Sequence, residues 1–308
     1  MDATRGHVPV LLREVLDLLR PRPGQVILDG TGGDGGHAAA LLERIRPGGR
    51  LFLLDCDSDA IRRLKARFGR PADIEYGHAN FRDFDQFLAA RGQGAVDGAL
   101  VDLGVSTPQL AGDRGFSFER PAPLDMRFDP TQPRTAYEVV NRWDERRLAE
   151  AFSRYGDQPF ARRIARAIVR NRPIERADRL AEVVEAAQPL GYRRRKRVHP
   201  ATRVFLVVRM LVNDEIANLD AFCRKVFDRL APGGRVAVIS FHSGEDRVAK
   251  NRFREAVRGG AAVLVTQRPV TPSAEEVREN PRARSAKLRV AERVAGAGWR
   301  HEETISPR

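Results

Sequence analysis

The 308-residue sequence predicts an α/β protein: a doubly wound, mostly parallel sheet of Rossmann-like type, interrupted by an inserted helical domain. Three observations predict it. Short apolar strand runs alternate with helical periodicity between residues 25 and 108. The alternation lapses from 109 to about 204 and resumes near 231. A glycine-rich turn follows the first strand run, and an acidic residue closes the second. The expected organisation is residues 1–108 and 205–308 as two parts of one α/β domain, with residues 109–204 as a helical substrate-recognition insert.

Each element has a local reason. From Val8 to Leu19, Leu11, Leu12, Val15, Leu18 and Leu19 share one helical face, and Pro21-Arg-Pro-Gly24 stops the helix. Gln25–Asp29 reads as a buried strand, His37–Ile45 as a helix, and Leu51–Asp55 as a second strand. A helix over Ser58–Phe68, a short strand over Ile74–Gly77 and a fourth strand over Asp97–Asp102 follow. Residues 109 to about 135 are rich in Gly, Pro and Asp and read as loop. Thr135–Gln188 has helical spacing, and one long helix is expected over Pro200–Leu230. The strand rhythm returns at Val236–Ser240, with Val263–Thr266 and Lys287–Val294 as candidate last strands. Residues 267–285 are expected to be irregular.

Composition narrows the functional class. Hydrophobic residues make up 42% and charged residues 31%, a globular composition. No apolar run approaches the ~18–20 residues that span a bilayer. The first ten residues lack the pattern of a secretory or transit peptide. Cys56 and Cys223 stand alone, which excludes a disulfide framework and a cysteine zinc site, so a reducing, cytoplasmic setting is expected. The six histidines show no metal-ligand spacing, and no catalytic metal is expected. The formal net charge is +13, carried by 49 arginines and five lysines. Residues 109–204 hold 21 basic and 13 acidic groups, a net of +8. The excess is therefore concentrated in the insert, as expected of a nucleic-acid-facing surface. Its components are Arg162, Arg163, Arg166 and Arg170, one stripe of a helix, and the run Arg193, Arg194, Arg195, Lys196 and Arg197.

Two strand ends carry the chemistry. Gly30, Gly32 and Gly35 match G-x-G-x-x-G, and Asp55 ends the next strand, placed to grip two ribose hydroxyls. That pattern suits NAD and S-adenosylmethionine alike. A pyrophosphate site wants a helix N-terminus open to an anion. Asp29 and Asp34 instead make this turn acidic, which favours a cationic ligand such as a sulfonium carrying an ammonium group. At the fourth strand end, Asp102 can accept a hydrogen bond from a reacting amine, and Ser106 can orient a flat base. A helix or turn cap is the competing role for Asp102.

Eight segments resemble one known family. They are Asp29-Gly-Thr-Gly-Gly-Asp-Gly-Gly-His37, Leu103-Gly-Val-Ser-Thr-Pro-Gln-Leu110, Arg114-Gly-Phe-Ser-Phe118, Pro123-Leu-Asp-Met-Arg127, Arg162-Arg-Ile-Ala-Arg-Ala-Ile168, His199-Pro-Ala-Thr-Arg203, Ser240-Phe-His-Ser243 and Asn280-Pro-Arg-Ala-Arg-Ser285. In this order the chain resembles the ribosomal small-subunit RNA cytosine-N4 methyltransferases, the RsmH/MraW family, from His7 to about Arg293. The resemblance implies a class I methyltransferase sheet. It also implies S-adenosylmethionine-dependent N4-methylation of a cytidine in the decoding region of 16S rRNA, with the small ribosomal subunit as partner. It implies cofactor contacts at Gly35, Gly36, His37, Asp55, Phe81, Asp102 and Gln109. Candidate acceptors for the cytidine N4 hydrogens are Asp102, Ser106 and His242, the last with a helix-cap role in competition. The chain departs from the family pattern at Asp57, Thr107 and Gly244.

Rival readings share parts of these features. A DNA or other RNA amino-methyltransferase shares the chemistry; the DNA enzymes usually carry (Asn/Asp)-Pro-Pro-(Tyr/Phe) where this chain has Asp102-Leu-Gly-Val. An NAD-dependent oxidoreductase shares the fold. A non-catalytic RNA-binding module has no use for both Asp55 and the Asp102 loop.

Overall fold

The computed structural model describes residues 9–191 and 199–294. The chain divides into two compact units. One is formed by the chain up to Gly104 and again from Ile216, the other by Val105–Glu215. Among the described residues no helix is long and apolar enough to cross a membrane.

The first unit is a seven-stranded sheet flanked by helices. Its elements are α1 (Leu12–Leu19), β1 (Val26–Asp29), α2 (Gly36–Ile45), β2 (Arg50–Asp55), α3 (Ser58–Phe68), β3 (Ile74–His78), a 3-10 turn Phe81–Asp83, α4 (Phe84–Ala89) and β4 (Val96–Asp102). The second unit holds α5 (Thr107–Ala111), α6 (Ala136–Arg142), α7 (Glu145–Gly156), α8 (Ala161–Arg170), α9 (Ala177–Ala186) and α10 (Thr202–Asn213). The chain then runs through α11 (Glu215–Arg229), β5 (Leu230–Ser240), α12 (Ser243–Arg258), β6 (Ala262–Leu264), α13 (Ala274–Glu279), a 3-10 turn Pro281–Ser285 and β7 (Lys287–Arg293).

Strand order is β3-β2-β1-β4-β5-β7-β6. β1 to β5 pair in parallel, and β7 runs antiparallel to both β5 and β6. The strands read as continuous apolar runs because both faces are covered. Leu28, Phe52, Leu54, Ala99, Val101, Val236 and Val238 belong to the core shared with α4, α11 and α12. Their neighbours Ile27, Leu51, Leu53, Leu100, Ala237 and Ile239 belong to the core shared with α1, α2 and α3. This strict alternation fixes the register, since a one-residue slip would exchange the two faces.

The structure changes five sequence expectations. Leu11 adopts a left-handed φ of 54°, so α1 begins at Leu12. Its buried seam is Leu11, Val15 and Leu19, four apart, while Leu12 and Leu18 are half-buried. The expected long helix over 200–230 is two helices. Asp214 has φ 50°, and its backbone N–H closes α10 on the Met210 carbonyl. The expected loop after residue 108 overlaps α5, and residues 267–285 contain α13 and the second 3-10 turn. In β5, pairing with β4 jumps from Leu230 to Arg235, so Ala231-Pro-Gly-Gly234 bulges out of the ladder.

The second unit has its own core of Leu148, Phe152, Ile164, Ile168, Leu180, Val184, Val204 and Val208, among others. The irregular stretch before α6 is fastened by polar contacts. Buried Asn213 donates to the Met126 and Arg209 carbonyls and accepts from the Phe128 N–H. Arg114 donates to the carbonyls of Arg127 and Phe128. Buried polar groups satisfied in this way order a segment that lacks regular structure.

Candidate active site

The carboxyl ends of β2, β1 and β4 stand side by side and deliver Asp55, Asp29 and Asp102. β1 and β4 flank the point where strand order reverses, the place where open α/β sheets bind ligands. The glycine-rich turn is stitched to these ends. Gly30 N–H donates to the Leu100 carbonyl at 2.8 Å and Gly32 N–H to the Leu54 carbonyl at 2.7 Å. Thr31 Oγ1 accepts from Asp102 N–H at 2.7 Å, and Asp29 Oδ1 accepts from Thr31 N–H at 3.0 Å.

The glycines answer chiefly to the protein's own packing. A Cβ on Gly32 would lie 2.7 Å from Leu64 Cδ1, and one on Gly35 would lie 2.7 Å from Phe68 Cε2, both on α3. Gly35 also has φ +77°, which disfavours any side chain. A Cβ on Gly36 would overlap Pro9, and one on Gly30 would crowd Phe81. Phe81 sits edge-on to Phe222 at 5.8 Å and so borders the turn. Gly33 alone in the turn leaves its side open, and its N–H donates to Asp55 Oδ2 at 2.8 Å.

The acids are held in unusual states. Asp29 is 1% exposed, and burial pushes its carboxyl up to about 7, opposed by the Thr31 N–H and reinforced by Asp55. Burial raises Asp55 to about 6, against the N–H groups of Asp57 and Gly33. Each Asp55 oxygen takes one of those backbone bonds and keeps lone pairs for further donors. Burial, then Asp29, then Glu245 hold the Asp102 carboxyl well above the ordinary range. Asp102 Oδ1 is buried with no hydrogen-bond partner among the described residues, although the side chain as a whole is 24% exposed. Asp34, the other acid of the turn, is paired with Arg63 of α3 at 3.0 Å and contributes less to the field than its position in sequence suggests. Asp57, one of the departures from the family pattern, is a buried N-cap that accepts from Asp59 N–H.

His37 and His242 lie in this unit too. His37 opens α2 and is buried, its Nε2 donating to the Val10 carbonyl and its Nδ1 3.6 Å from Asp102 Oδ2. His242 is the N-cap of α12: Nδ1 accepts from the N–H groups of Gly244 and Glu245, while Glu245 Oε2 accepts from His242 N–H. The ring lies over Gly244, where a Cβ would sit 3.1 Å from His242 Cε1 and Nδ1. Glycine at this departure from the family pattern thus accommodates the cap. Buried Glu245, which faces Asp102 electrostatically, was not singled out from sequence. The signal was the spacing His242-x-x-Glu245, a capping-box pattern with an uncommon cap residue.

Ser106 and Gln109 belong to the second unit, where they form the capping box of α5. Ser106 Oγ accepts from Gln109 N–H, and Gln109 Oε1 accepts from Ser106 N–H. On α8, Ile164, Ala165 and Ile168 are buried while Arg162, Arg163, Arg166 and Arg170 are exposed. Arg166 pairs with Glu145 at 3.3 Å; the other three hold no carboxylate among the described residues. Arg193, Arg194, Arg195, Lys196 and Arg197 lie outside the described residues.

A sheet of this strand order, with its last strand reversed between the fifth and sixth and a glycine-rich turn at the switch point, defines a Rossmann-like methyltransferase. Residues 4–294 match the profile of the MraW methylase family. The chain belongs to that family. Two relatives are each called ribosomal RNA small subunit methyltransferase H. One, from Nitratidesulfovibrio vulgaris (strain DSM 19637 / Miyazaki F), is 46% identical over 94% of this chain and 86% of its own. The other, from Thermomicrobium roseum, is 45% identical over 95% of each chain. Among solved structures, an rRNA methylase from Streptococcus thermophilus aligns at a TM-score of 0.42 and 12% identity, covering 94% of this chain and 99% of that one.

Proposed function

We propose that this protein transfers a methyl group from S-adenosylmethionine to N4 of a cytidine in the decoding region of 16S rRNA. Membership of the MraW methylase family and the names of the relatives support the small-subunit RNA as substrate. The observation that carries the chemistry is the buried, unpartnered Oδ1 of Asp102 beside the glycine-rich turn.

The residues present fit S-adenosylmethionine. Asp55 keeps lone pairs for two ribose hydroxyls, the acids at the strand ends favour a cation, and the turn from Gly33 to His37 with Phe81 borders the same place. Gln109, on the second unit, is a further contact by resemblance. When bound, this cofactor supplies an electrophilic methyl group on a sulfonium.

The protein's own task is to make a poor nucleophile attack. The lone pair of cytidine N4 is conjugated into the ring, so the amine must be held in line at near-attack distance. An acceptor aimed at the N4 hydrogens favours a pyramidal nitrogen and stabilises the charge that develops on it. Asp102 Oδ1 has that capacity. His242 Nδ1 is committed to two backbone N–H groups, and Ser106 Oγ to one, so both serve first as caps. The target base must leave any duplex stack to be reached. The exposed arginines of α8 are the phosphate-binding face.

The test is methyl transfer to unmodified small subunits and to naked RNA by Asp102→Ala and Asp102→Asn. Both variants are expected to lose at least ~100-fold in turnover, the scale of a lost transition-state contact. Undiminished turnover would sink the role of Asp102. Product analysis for N4-methylcytidine tests the position of the methyl group.

A further inference from the structure

Asn280 to Arg289, ten residues of the catalytic unit, hold four basic groups and no acid. They include the family segment Asn280-Pro-Arg-Ala-Arg-Ser285, which the methyl transfer itself does not use. The 3-10 turn Pro281–Ser285 within it is firmly built. Asn280 Oδ1 accepts from the Arg282 N–H at 3.3 Å. Ala283 N–H donates to the Asn280 carbonyl at 3.0 Å, and Ala286 N–H to the Ala283 carbonyl at 2.8 Å. A 3-10 helix has about three residues per turn, so side chains three apart share a face. Ala283 and Ala286 are such a pair; both are buried in the core that holds Leu11, Val15 and Leu288. The same spacing turns Arg282, Arg284 and Ser285 outward, and all three are exposed.

Strand register places this turn at the ligand edge. β7 runs against β5 and so starts where β5 ends: Lys287 lies opposite Ser240, and Leu288 opposite Ile239. Ile239 in turn lies opposite Asp102. Asp102, Ile239 and Leu288 form one row across β4, β5 and β7, and the turn enters β7 from the edge at which Asp102 ends its strand. With strands about 4.8 Å apart, the Lys287 backbone is about 10 Å from that of Asp102.

Positive charge is in excess at this place. Buried Arg289 pairs with Asp246 of α12 at 2.6 and 3.3 Å. Lys287 Nζ stands farther off, 3.9 Å from the same carboxylate, so one negative charge faces two cations. Arg284 pairs with no carboxylate among the described residues. The acids of neighbouring α13 are Glu275, Glu276 and Glu279, and Glu276 Oε1 accepts from the Leu11 N–H.

We propose that Arg282, Arg284 and Lys287 form a phosphate-binding site on the catalytic unit, which holds the RNA backbone flanking the target nucleotide. This rests on the reading of the substrate given above. A guanidinium matches phosphate oxygens as a bidentate fork, and the exposed Ser285 hydroxyl offers a further donor beside it. Phosphate contacts set register and orientation without reading sequence. A strand gripped at this edge presents its extruded base toward Asp102, and methyl transfer depends on that alignment. The catalytic unit thereby has a grip on RNA of its own, in addition to the arginines of α8.

The test is binding of unmodified small-subunit RNA by the full chain across a salt series. It compares the wild type with Arg282→Gln/Arg284→Gln and, separately, with Arg284→Glu. The double variant loses two contacts, so the slope of log affinity against log salt should flatten by about 1.4, at ~0.7 per contact on a single strand. Arg284→Glu should flatten it by at least ~0.7, so either variant decides the matter if the other does not fold. Affinity for S-adenosylmethionine, read by isothermal titration, should be unchanged. A wild-type slope in the variants overturns the proposal; if cofactor affinity falls instead, the turn belongs to the cofactor. A defect confined to assembled subunits, with naked-RNA slopes unchanged, would assign the turn to an acidic protein surface and overturn the proposal as well. A wild-type protein that binds no RNA overturns both this site and the substrate reading. Failure of the substrate reading alone looks different: no N4-methylcytidine is formed, yet the variants still flatten the slope, and the phosphate site stands.

Discussion

Asp29 and Asp55 end adjacent strands, and burial shifts both toward neutrality, to about 7 and about 6. A cationic ligand binds best once these groups are ionised. Affinity for S-adenosylmethionine is therefore expected to rise between about pH 5.5 and 7.5 and to level off above that. Isothermal titration across the range checks it, and an affinity that falls as pH rises would contradict an acidic cation site. The sequence displays Asp55 and Asp102 plainly, because an acid ending an apolar strand in this topology faces the ligand edge. It does not display the protonation of Asp29, the partnership of Thr31 with Asp102, or the approach of Glu245. Each depends on atoms distant along the chain: 71 residues separate Thr31 from Asp102.

Caps and stripes are properties of elements. Ser106 closes a capping box on α5, and His242 closes one on α12. Ser106→Ala and His242→Ala are each expected to cost about 1 kcal/mol of stability, the usual value of a lost cap. Thermal unfolding measures that cost. If either side chain also touches the reacting base, kcat will fall well beyond what the lost stability explains. The stripe on α8 is legible from sequence since helical spacing separates Ile164 and Ile168 from the exposed arginines. Replacing Arg162, Arg163 and Arg170 by Ala leaves the buried seam untouched. It should flatten the slope of log affinity for RNA against log salt by about 2, at ~0.7 per phosphate contact on a single strand. An unchanged slope would remove this face from the RNA interface. The break between α10 and α11 was not legible: apolar spacing runs on through residues 205–227, and only the left-handed backbone at Asp214 divides it.

The molecule as a whole carries a cost in its catalytic unit. Asp29 has a folded value near 7 against an ordinary value of 3.8, so between those limits the folded state holds more protons than the unfolded state. Stability of the ligand-free protein is therefore expected to fall as pH rises from about 4 to about 7, through this group, and to flatten above. The gain in Tm on adding S-adenosylmethionine should grow over the same window. Calorimetry with and without the cofactor checks both signs. By itself the sequence determined the strands and most helices, the two-faced burial of the sheet and the arginine face of α8. It also determined the family, through eight ordered segments. These rest on local spacing, which fixes an element and the side it buries. Only the tertiary structure decided the strand order that sets Asp29 beside Asp102, the assignment of Ser106 and His242 to caps, and the meeting of His37 with Asp102. The reason is physical: solvation and charge at a carboxylate are set by neighbours in space, and folding brings those neighbours from remote parts of the chain.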